Sequence, residues 1–150
     1  MMIIILTFII LIIDTISKII VSHHLYINQS ISIINDFLSI TYVKNTGAAW
    51  SIFDDKSIIV TVFSAIIIFT IIMYINKNKP TFLSEKIAYS FILGGAMGNL
   101  VNRVFYGYVI DFIDIKIFNY NYPIFNLADI FIVVGVILLV IFTWRCKKWR

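Results

Sequence analysis

Long intervals without charged residues limit the possible folds of this chain more than any other feature. The interval 57–75 contains no Asp, Glu, Lys or Arg, and three more intervals, 1–21, 86–105 and 126–144, carry few charges. A helix that crosses a bilayer needs roughly 20 mostly apolar residues. The sequence therefore predicts four membrane-spanning helices, because only helices and closed barrels satisfy their backbone hydrogen bonds in lipid.

Composition supports a membrane protein and argues against a soluble domain or a nucleic-acid-binding protein. Hydrophobic residues make up 61% of the chain and charged residues 13%, about half the charged fraction of a typical soluble domain. The apolar runs do not alternate as barrel strands would. We predict an all-α membrane protein with one domain, 1–150, in which the partly alternating segment 31–42 forms short strands or lies on the membrane surface.

Lysine and arginine residues set the predicted orientation, because short loops rich in these residues remain in the cytoplasm. Seven of them lie around the loop between the second and third spans or in the C-terminal tail, and three lie in segments 22–56 and 106–125. This distribution predicts that both termini are cytoplasmic. Segments 22–56 and 106–125 then lie outside the cell membrane.

Two aspartates, Asp111 and Asp129, are predicted to meet at the outer membrane face. Asp111 follows the outer end of the third span, and Asp129 lies near the outer start of the fourth. Two carboxylates at one low-dielectric boundary do not both ionise readily, so one tends to keep a proton. Such a pair can activate water and protonate a leaving amine. Spacing alone leaves Asp114 as a rival to Asp111, and helix capping as the structural alternative for either carboxylate.

Polar side chains inside predicted spans usually have a function. Asp14 and Lys18 are four residues apart, so they share one helix face and can form an ion pair. Asn99 and Arg103 have the same spacing, and Arg103 needs a partner such as Asp14 or a substrate carbonyl. Asn126 stands at the beginning of the fourth span, where an asparagine typically caps a helix.

The sequence lacks the motifs of metallopeptidases, serine hydrolases and nucleotide-binding enzymes. It has no His-x-x-x-His or Glu-x-x-His spacing for zinc, no Gly-x-Ser-x-Gly elbow and no phosphate-binding loop. We therefore expect no metal and no organic cofactor. A small proton-coupled transporter or channel subunit is an alternative to a peptidase, and an assembly factor with helix-locking charges is another.

Five blocks of sequence occur in a fixed order: Asp-Thr-Ile-Ser-Lys at 14–18, Asn-Thr-Gly-Ala-Ala-Trp-Ser at 45–51, Gly-Gly-Ala-Met-Gly-Asn-Leu-Val-Asn-Arg at 94–103, Val-Ile-Asp-Phe-Ile-Asp at 109–114 and Phe-Asn-Leu-Ala-Asp at 125–129. Together they resemble the bacterial lipoprotein signal peptidases (signal peptidase II). The resemblance implies a four-span aspartic peptidase of the bacterial cytoplasmic (inner) membrane. It also implies a prolipoprotein substrate, cut on the N-terminal side of a diacylglyceryl-modified cysteine.

The same resemblance implies roles for individual residues. It makes Asp111 and Asp129 the catalytic pair, in preference to Asp114. Supporting positions in the first block are Asp14 and Lys18. Substrate-contacting and site-supporting positions are Asn45, Gly47, Asn99, Arg103 and Asn126. The implied partners are lipidated prolipoproteins and membrane lipids, without nucleic acid, and we expect a monomer.

Three positions depart from the usual family pattern. Ser17 replaces a threonine and retains the hydroxyl group, and Trp50 replaces a phenylalanine and retains an aromatic ring. Asn102 replaces an aspartate, which removes a carboxylate from the neighbourhood of the predicted site.

Overall fold

Helices make up most of the computed structural model, which describes residues 1–47, 57–118 and 120–148. Each of the four predicted spans corresponds to a helix, and the helix ends lie within four residues of the predicted ends. The helices are α1 (Met2–His24), α2 (Ser57–Asn78), α3 (Leu83–Tyr106) and α4 (Leu127–Lys148).

Of the described helices, three are long and apolar enough to cross a membrane: α1, α2 and the Leu127–Arg145 part of α4. The α3 helix has 24 residues, or about 36 Å at 1.5 Å per residue, so its length is sufficient. Its composition is not, because polar residues, among them Asn99, Asn102 and Arg103, lower its hydropathy. Composition therefore supports three of the four predicted spans.

A small antiparallel sheet accompanies the helices. The strands in the described part of the chain pair in the order β1-β2-β3-β4. The prediction of strands within 31–42 is confirmed, whereas the strand at 109–117 was not predicted, because its pairing partner is distant in sequence. The strands are β1 (Ser30–Ile34), β2 (Leu38–Asn45), β3 (Val109–Ile117) and β4 (Tyr120–Asn121).

The α3 helix packs against each of the other three helices, and small residues permit its close approach to α1 and α4. A Cβ atom at Gly94 would lie 2.7 Å from the Ile10 side chain, and one at Gly95 would overlap the Ala128 carbonyl oxygen. The Gly-Gly pair therefore allows α3 to stand between the first and last helices of the chain.

An apolar cluster joins the sheet to one end of the helix bundle. Val21 and Leu25, at the end of α1, pack with Tyr42, Ile110 and Phe112 of the sheet. Since α3 also ends here and α4 begins here, the sheet covers the end of the bundle at which the predicted carboxylates lie.

The chain turns from α3 into β3 within two residues. Gly107 caps α3 in the left-handed conformation (φ 79°), and its N–H donates to the Arg103 carbonyl oxygen. The buried Asn102 side chain then accepts a hydrogen bond from the Ile110 N–H at 3.3 Å. Asn102 therefore holds the start of β3, immediately before Asp111, with an amide oxygen instead of a carboxylate.

Candidate active site

Asp111 projects from β3 into a ring of amide donors. In the sheet register Val43 faces Asp111 and Asn45 faces Val109, so Asn45 is a diagonal cross-strand neighbour of Asp111. The Asn45 Nδ2 donates to Asp111 Oδ2 at 2.8 Å. The Asn126 Nδ2 donates to Asp111 Oδ1 at 2.6 Å. Only 3% of Asp111 is exposed, and both of its carboxylate oxygens are hydrogen-bonded to these amides instead of to water.

Asp129 lies in the first turn of α4 and faces the same group of amides. Its Oδ1 accepts a hydrogen bond from Asn99 Nδ2 at 2.8 Å. Its Oδ2 accepts one from the Asn126 backbone N–H at 3.1 Å. Asp129 is half-buried, unlike Asp111.

Asn126 connects the two carboxylates. Its Oδ1 accepts from the Asp129 backbone N–H at 3.1 Å, which is the reciprocal arrangement of a capping box at a helix start. Its Nδ2 contacts Asp111 Oδ1 as described, and Asn99 Oδ1 at 3.2 Å. The predicted helix cap and the predicted site residue are therefore the same side chain, and it brings Asp111 and Asp129 together.

Asp14 and Lys18 form the predicted ion pair, with an Nζ–Oδ2 distance of 2.7 Å. Both are almost fully buried, so the charges need further partners. Lys18 Nζ also donates to Asn99 Oδ1 at 2.9 Å, and Asp14 Oδ1 accepts from the Ala128 N–H at 3.0 Å. The pair thereby connects α1 to α3 and to the start of α4.

Arg103 does not pair with Asp14. Its Nη2 donates to the Gly47 carbonyl oxygen at 2.9 Å, and the Gly47 N–H donates to Asn45 Oδ1 at 2.9 Å. The buried Arg103 Nε has no hydrogen-bond partner within the described ranges. Arg103 thus connects α3 to the turn after β2.

Burial and a neighbouring charge affect the ionisation of Asp111. Burial raises its pKa, and the negative charge of Asp129 raises it further. The amides of Asn45 and Asn126 act in the opposite direction, because they stabilise the charged form. The net result is a pKa of about 6, compared with an ordinary value of 3.8.

Asp114 lies outside this arrangement. Its Oδ2 accepts a hydrogen bond from Thr41 Oγ1 at 2.8 Å, and it lines a separate groove on the sheet. The structure therefore brings Asp111, and not Asp114, to Asp129.

Of the positions that depart from the family pattern, Ser17 retains a structural hydrogen bond: its Oγ donates to the Asp14 carbonyl oxygen at 2.7 Å. Trp50 lies outside the described residues.

An open cleft of about 990 Å³ contains Asp111 and Asp129. The predicted site residues Asn45, Asn99, Arg103 and Asn126 also line it. Apolar residues that were not predicted to belong to the site complete the lining. The apolar residues that follow Pro123 in the sequence could have indicated them. The apolar lining consists of Pro123, Ile124, Phe125, Ile130, Ile132 and Val133. The cleft can hold an apolar chain beside two carboxylates.

A family profile described as signal peptidase (SPase) II matches residues 6–145. The chain belongs to this family. Its resemblance to bacterial lipoprotein signal peptidases is thereby confirmed, and the family consists of membrane aspartic peptidases.

Individual relatives agree with the family. The lipoprotein signal peptidase of Clostridium novyi is 43% identical over 139 residues, which cover 92% of this chain and 94% of the relative. That of Anoxybacillus flavithermus is 37% identical over 145 residues, covering 97% and 86%. Membership of a peptidase family favours the peptidase reading over a transporter or an assembly factor.

Two solved structures are similar over nearly the whole chain. One is a bacterial membrane enzyme determined by the in meso method at 2.3 Å resolution, with a TM-score of 0.90, 34% identity and coverage of 99% of this chain and 90% of that one. The other, determined by the same method at 1.9 Å, has a TM-score of 0.83 and 37% identity, with coverage of 93% and 90%. The helices and the sheet together thus follow a known membrane-enzyme fold.

Proposed function

We propose that this member of the signal peptidase II family removes the signal peptide from diacylglyceryl-modified prolipoproteins, cutting on the N-terminal side of the lipidated cysteine. Asp111 and Asp129 are the catalytic residues. The observation that carries this proposal is that one residue, Asn126, holds both carboxylates in an open cleft: its side-chain Nδ2 donates to Asp111 and its backbone N–H donates to Asp129. A signal peptide and its lipid are apolar, whereas the bond to be cut is a polar amide.

The two aspartates share the proton transfers of the reaction. One carboxylate takes a proton from water, and the resulting hydroxide attacks the carbonyl carbon of the scissile amide. The other, protonated, donates its proton to the carbonyl oxygen, which gives a tetrahedral diol. As the C–N bond breaks, the first aspartate passes the proton it took from water to the leaving amine, and the second regains a proton from one hydroxyl of the diol. The raised pKa of Asp111 agrees with a pair that holds one proton. No metal or organic cofactor takes part in these steps.

The remaining polar residues position the reacting groups. Asn45 and Asn126 hold Asp111, and Asn99 holds Asp129, so that water, amide and carboxylates are aligned before reaction. Arg103 lines the cleft and holds the Gly47 carbonyl oxygen, and it contacts the backbone of the substrate at the edge of the site.

The buried pair Asp14 and Lys18 supports the site from behind, because it ties the first helix to Asn99 and to the Ala128 N–H. It has no contact with the substrate in this proposal. Its role is to fix the distance between α3 and the first turn of α4.

We further propose how the protein lies in the bacterial cytoplasmic membrane. All four helices span it as one domain, 1–150, with the polar residues of α3 facing the site instead of lipid. Both termini are cytoplasmic, in agreement with the seven-to-three distribution of Lys and Arg. The sheet and the active site then lie near the extracytoplasmic face, where the substrate enters from the surrounding lipids, and the enzyme acts as a monomer without nucleic acid.

The test is cleavage of a synthetic prolipopeptide with a diacylglyceryl cysteine, beside an identical peptide without lipid. Purified protein in detergent should release the signal peptide from the lipidated form, and mass analysis should place the cut immediately before the modified cysteine. Equal cleavage of the unlipidated twin, or a cut elsewhere, would contradict the proposed specificity.

A further inference from the structure

A second groove, of about 670 Å³, lies on the sheet beside the active-site cleft. The loop from Asn121 to Ile124 lines both of them, so it forms a common wall. The cleft has an apolar wall, whereas the groove is lined largely by polar side chains, among them Ser32, Asn35, Asp36, Ser39, Asp114 and Lys116.

The polar lining follows from the strand register. Ser32 pairs with Ser39 across β1 and β2, and Ser39 pairs with Asp114 across β2 and β3. Two residues farther along β3, Lys116 pairs with Asn121 of β4. Because residues two apart in a strand lie on the same face, one face of the sheet carries two adjacent rows of hydrogen-bonding groups.

The groove and the cleft lie along one strand. Asp111 is in the cleft, and Asp114 and Lys116 are three and five residues farther along β3. At about 3.3 Å per residue, these positions lie roughly 10 and 17 Å from Asp111. An extended chain with its scissile bond at Asp111 can therefore place residues four to six after the cut over the groove.

We infer that this groove is a binding site for the polypeptide that follows the cleaved bond, that is, for about the fourth to sixth residues of the mature product. This inference rests on the proposed function. The signal peptide side of the substrate is apolar and fits the cleft, while the mature side is a hydrated chain that needs polar partners. The groove thus recognises the part of the substrate that is released from the membrane interface.

Lys116 sets the charge preference at the far end of the groove. The groove also contains the carboxylates of Asp36 and Asp114, but among the described residues neither forms an ion pair with the Lys116 ammonium group, and Asp114 accepts a hydrogen bond from Thr41. A carboxylate near the fifth residue of the product would therefore find a cationic partner. One exposed ion pair with a hydrogen bond contributes about 1 kcal/mol, or roughly a fivefold change in affinity.

The experiment compares three lipidated prolipopeptides with the same signal peptide. The first peptide ends two residues after the lipidated cysteine. The other two extend to the eighth residue of the product, and the fifth residue is Glu in one and Lys in the other. The intact protein should show a kcat/KM about fivefold higher for the Glu peptide than for the other two. The Lys116→Glu variant should reverse the preference between the Glu and Lys peptides. Lys77→Glu, the same change at the exposed end of α2, should retain the original preference.

The outcomes separate this inference from the proposed function. If the short peptide is cleaved but length and the fifth residue have no effect, the groove is not a substrate site and the peptidase proposal stands. An unchanged Glu preference in Lys116→Glu would also overturn the inference. If no lipidated peptide is cleaved, both proposals fail. Since preferences are ratios within one protein, a partly unfolded variant does not produce a false reversal.

Discussion

Asp111 combines deep burial with two amide donors, and this combination determines how its charge responds to pH. Burial favours the neutral acid, and the hydrogen bonds from Asn45 and Asn126 favour the carboxylate. Neither influence abolishes the other, so the group remains able to change its protonation state near neutral pH. A proton-transferring group in a peptidase needs this property.

Replacing either aspartate by asparagine retains the size of the side chain and removes the proton chemistry. We expect Asp111→Asn and Asp129→Asn each to lower kcat by about a thousandfold or more, measured on the lipidated peptide. Glu85→Gln, a change of the same kind in the first turn of α3, should retain activity. Substantial turnover by either site variant would remove that aspartate from the catalytic pair.

The stability of the protein should also depend on Asp111. Because its pKa is about 6 when folded, the folded state binds the proton more tightly than the unfolded state does. The contribution is complete below pH 4 and is lost as the pH rises through 6, with a total change of about 3 kcal/mol. Relative to Asp111→Asn, the protein should therefore unfold at progressively lower temperature between pH 4 and 7, as thermal unfolding in detergent would measure. A difference that stays constant over this range would contradict the assigned pKa.

The hydrogen bond from Asn45 to Asp111 leads to a prediction about how the rate depends on pH. Its removal in Asn45→Ala takes away a donor that stabilises the Asp111 carboxylate, so the pKa of Asp111 should rise. The limb of the kcat/KM profile that reports the aspartate pair should move to higher pH. Asn78→Ala, at the end of α2, is the matched control and should leave the profile in place, while a downward shift in Asn45→Ala would contradict the prediction.

At the scale of elements, the glycines of α3 control the distance between helices. A Cβ atom at Gly98 would overlap the Asp14 carboxylate, which holds Lys18 and the Ala128 N–H. The absence of a side chain at Gly98 therefore leaves space for the ion pair of Asp14 and Lys18, whereas Gly94 and Gly95 only allow the helices to approach closely.

We expect Gly98→Ala to lower the free energy of unfolding by about 1–3 kcal/mol and to reduce activity, because Asp14 must move away from Ala128. Thermal unfolding and the cleavage rate would measure the two effects. Val104→Ala, at an exposed position of the same helix, should change neither by a comparable amount. If Gly98→Ala has normal stability and a normal cleavage rate, α1 can shift to admit the methyl group, and Gly98 is not needed for the contact of Asp14 with Ala128.

The helices were predictable from the sequence because each one is a local pattern: a long apolar run with polar ends. The β3 strand was not, since it pairs with β2 residues about 70 positions earlier, and no local pattern identifies a distant partner. For the same reason Asn45 was predicted as a site residue only through the family resemblance. Its bond to Asp111 depends on the strand register.

The ion pair of Asp14 and Lys18 was predictable, because their spacing puts them on one helix face. The partner of Arg103 was not, because the Gly47 carbonyl is a backbone group that any residue carries. The double role of Asn126 was not predictable from the residue pattern either. Its capping position can be recognised in the sequence, but its hydrogen bond to Asp111 depends on how the sheet packs against the helices.

At the scale of the whole molecule, the orientation proposed for the membrane can be tested with single cysteines in a Cys146→Ser background. A membrane-impermeant maleimide should label Tyr26→Cys, beside the sheet and 84% exposed in the structure, in intact bacterial cells. It should label Lys79→Cys, in the turn after α2, only after the cells are opened. The reverse labelling pattern would invert the proposed orientation.

The hydrogen bond from Ala128 to Asp14 joins the beginning of the chain to its last helix. During synthesis the first helix enters the membrane long before the segment that carries Asp129 has left the ribosome. A nascent copy therefore lacks one of the two proposed catalytic aspartates, and its Asp14 carboxylate lacks the hydrogen bond from Ala128. With the catalytic pair proposed above, the active site is therefore completed only when the final helix docks against the first.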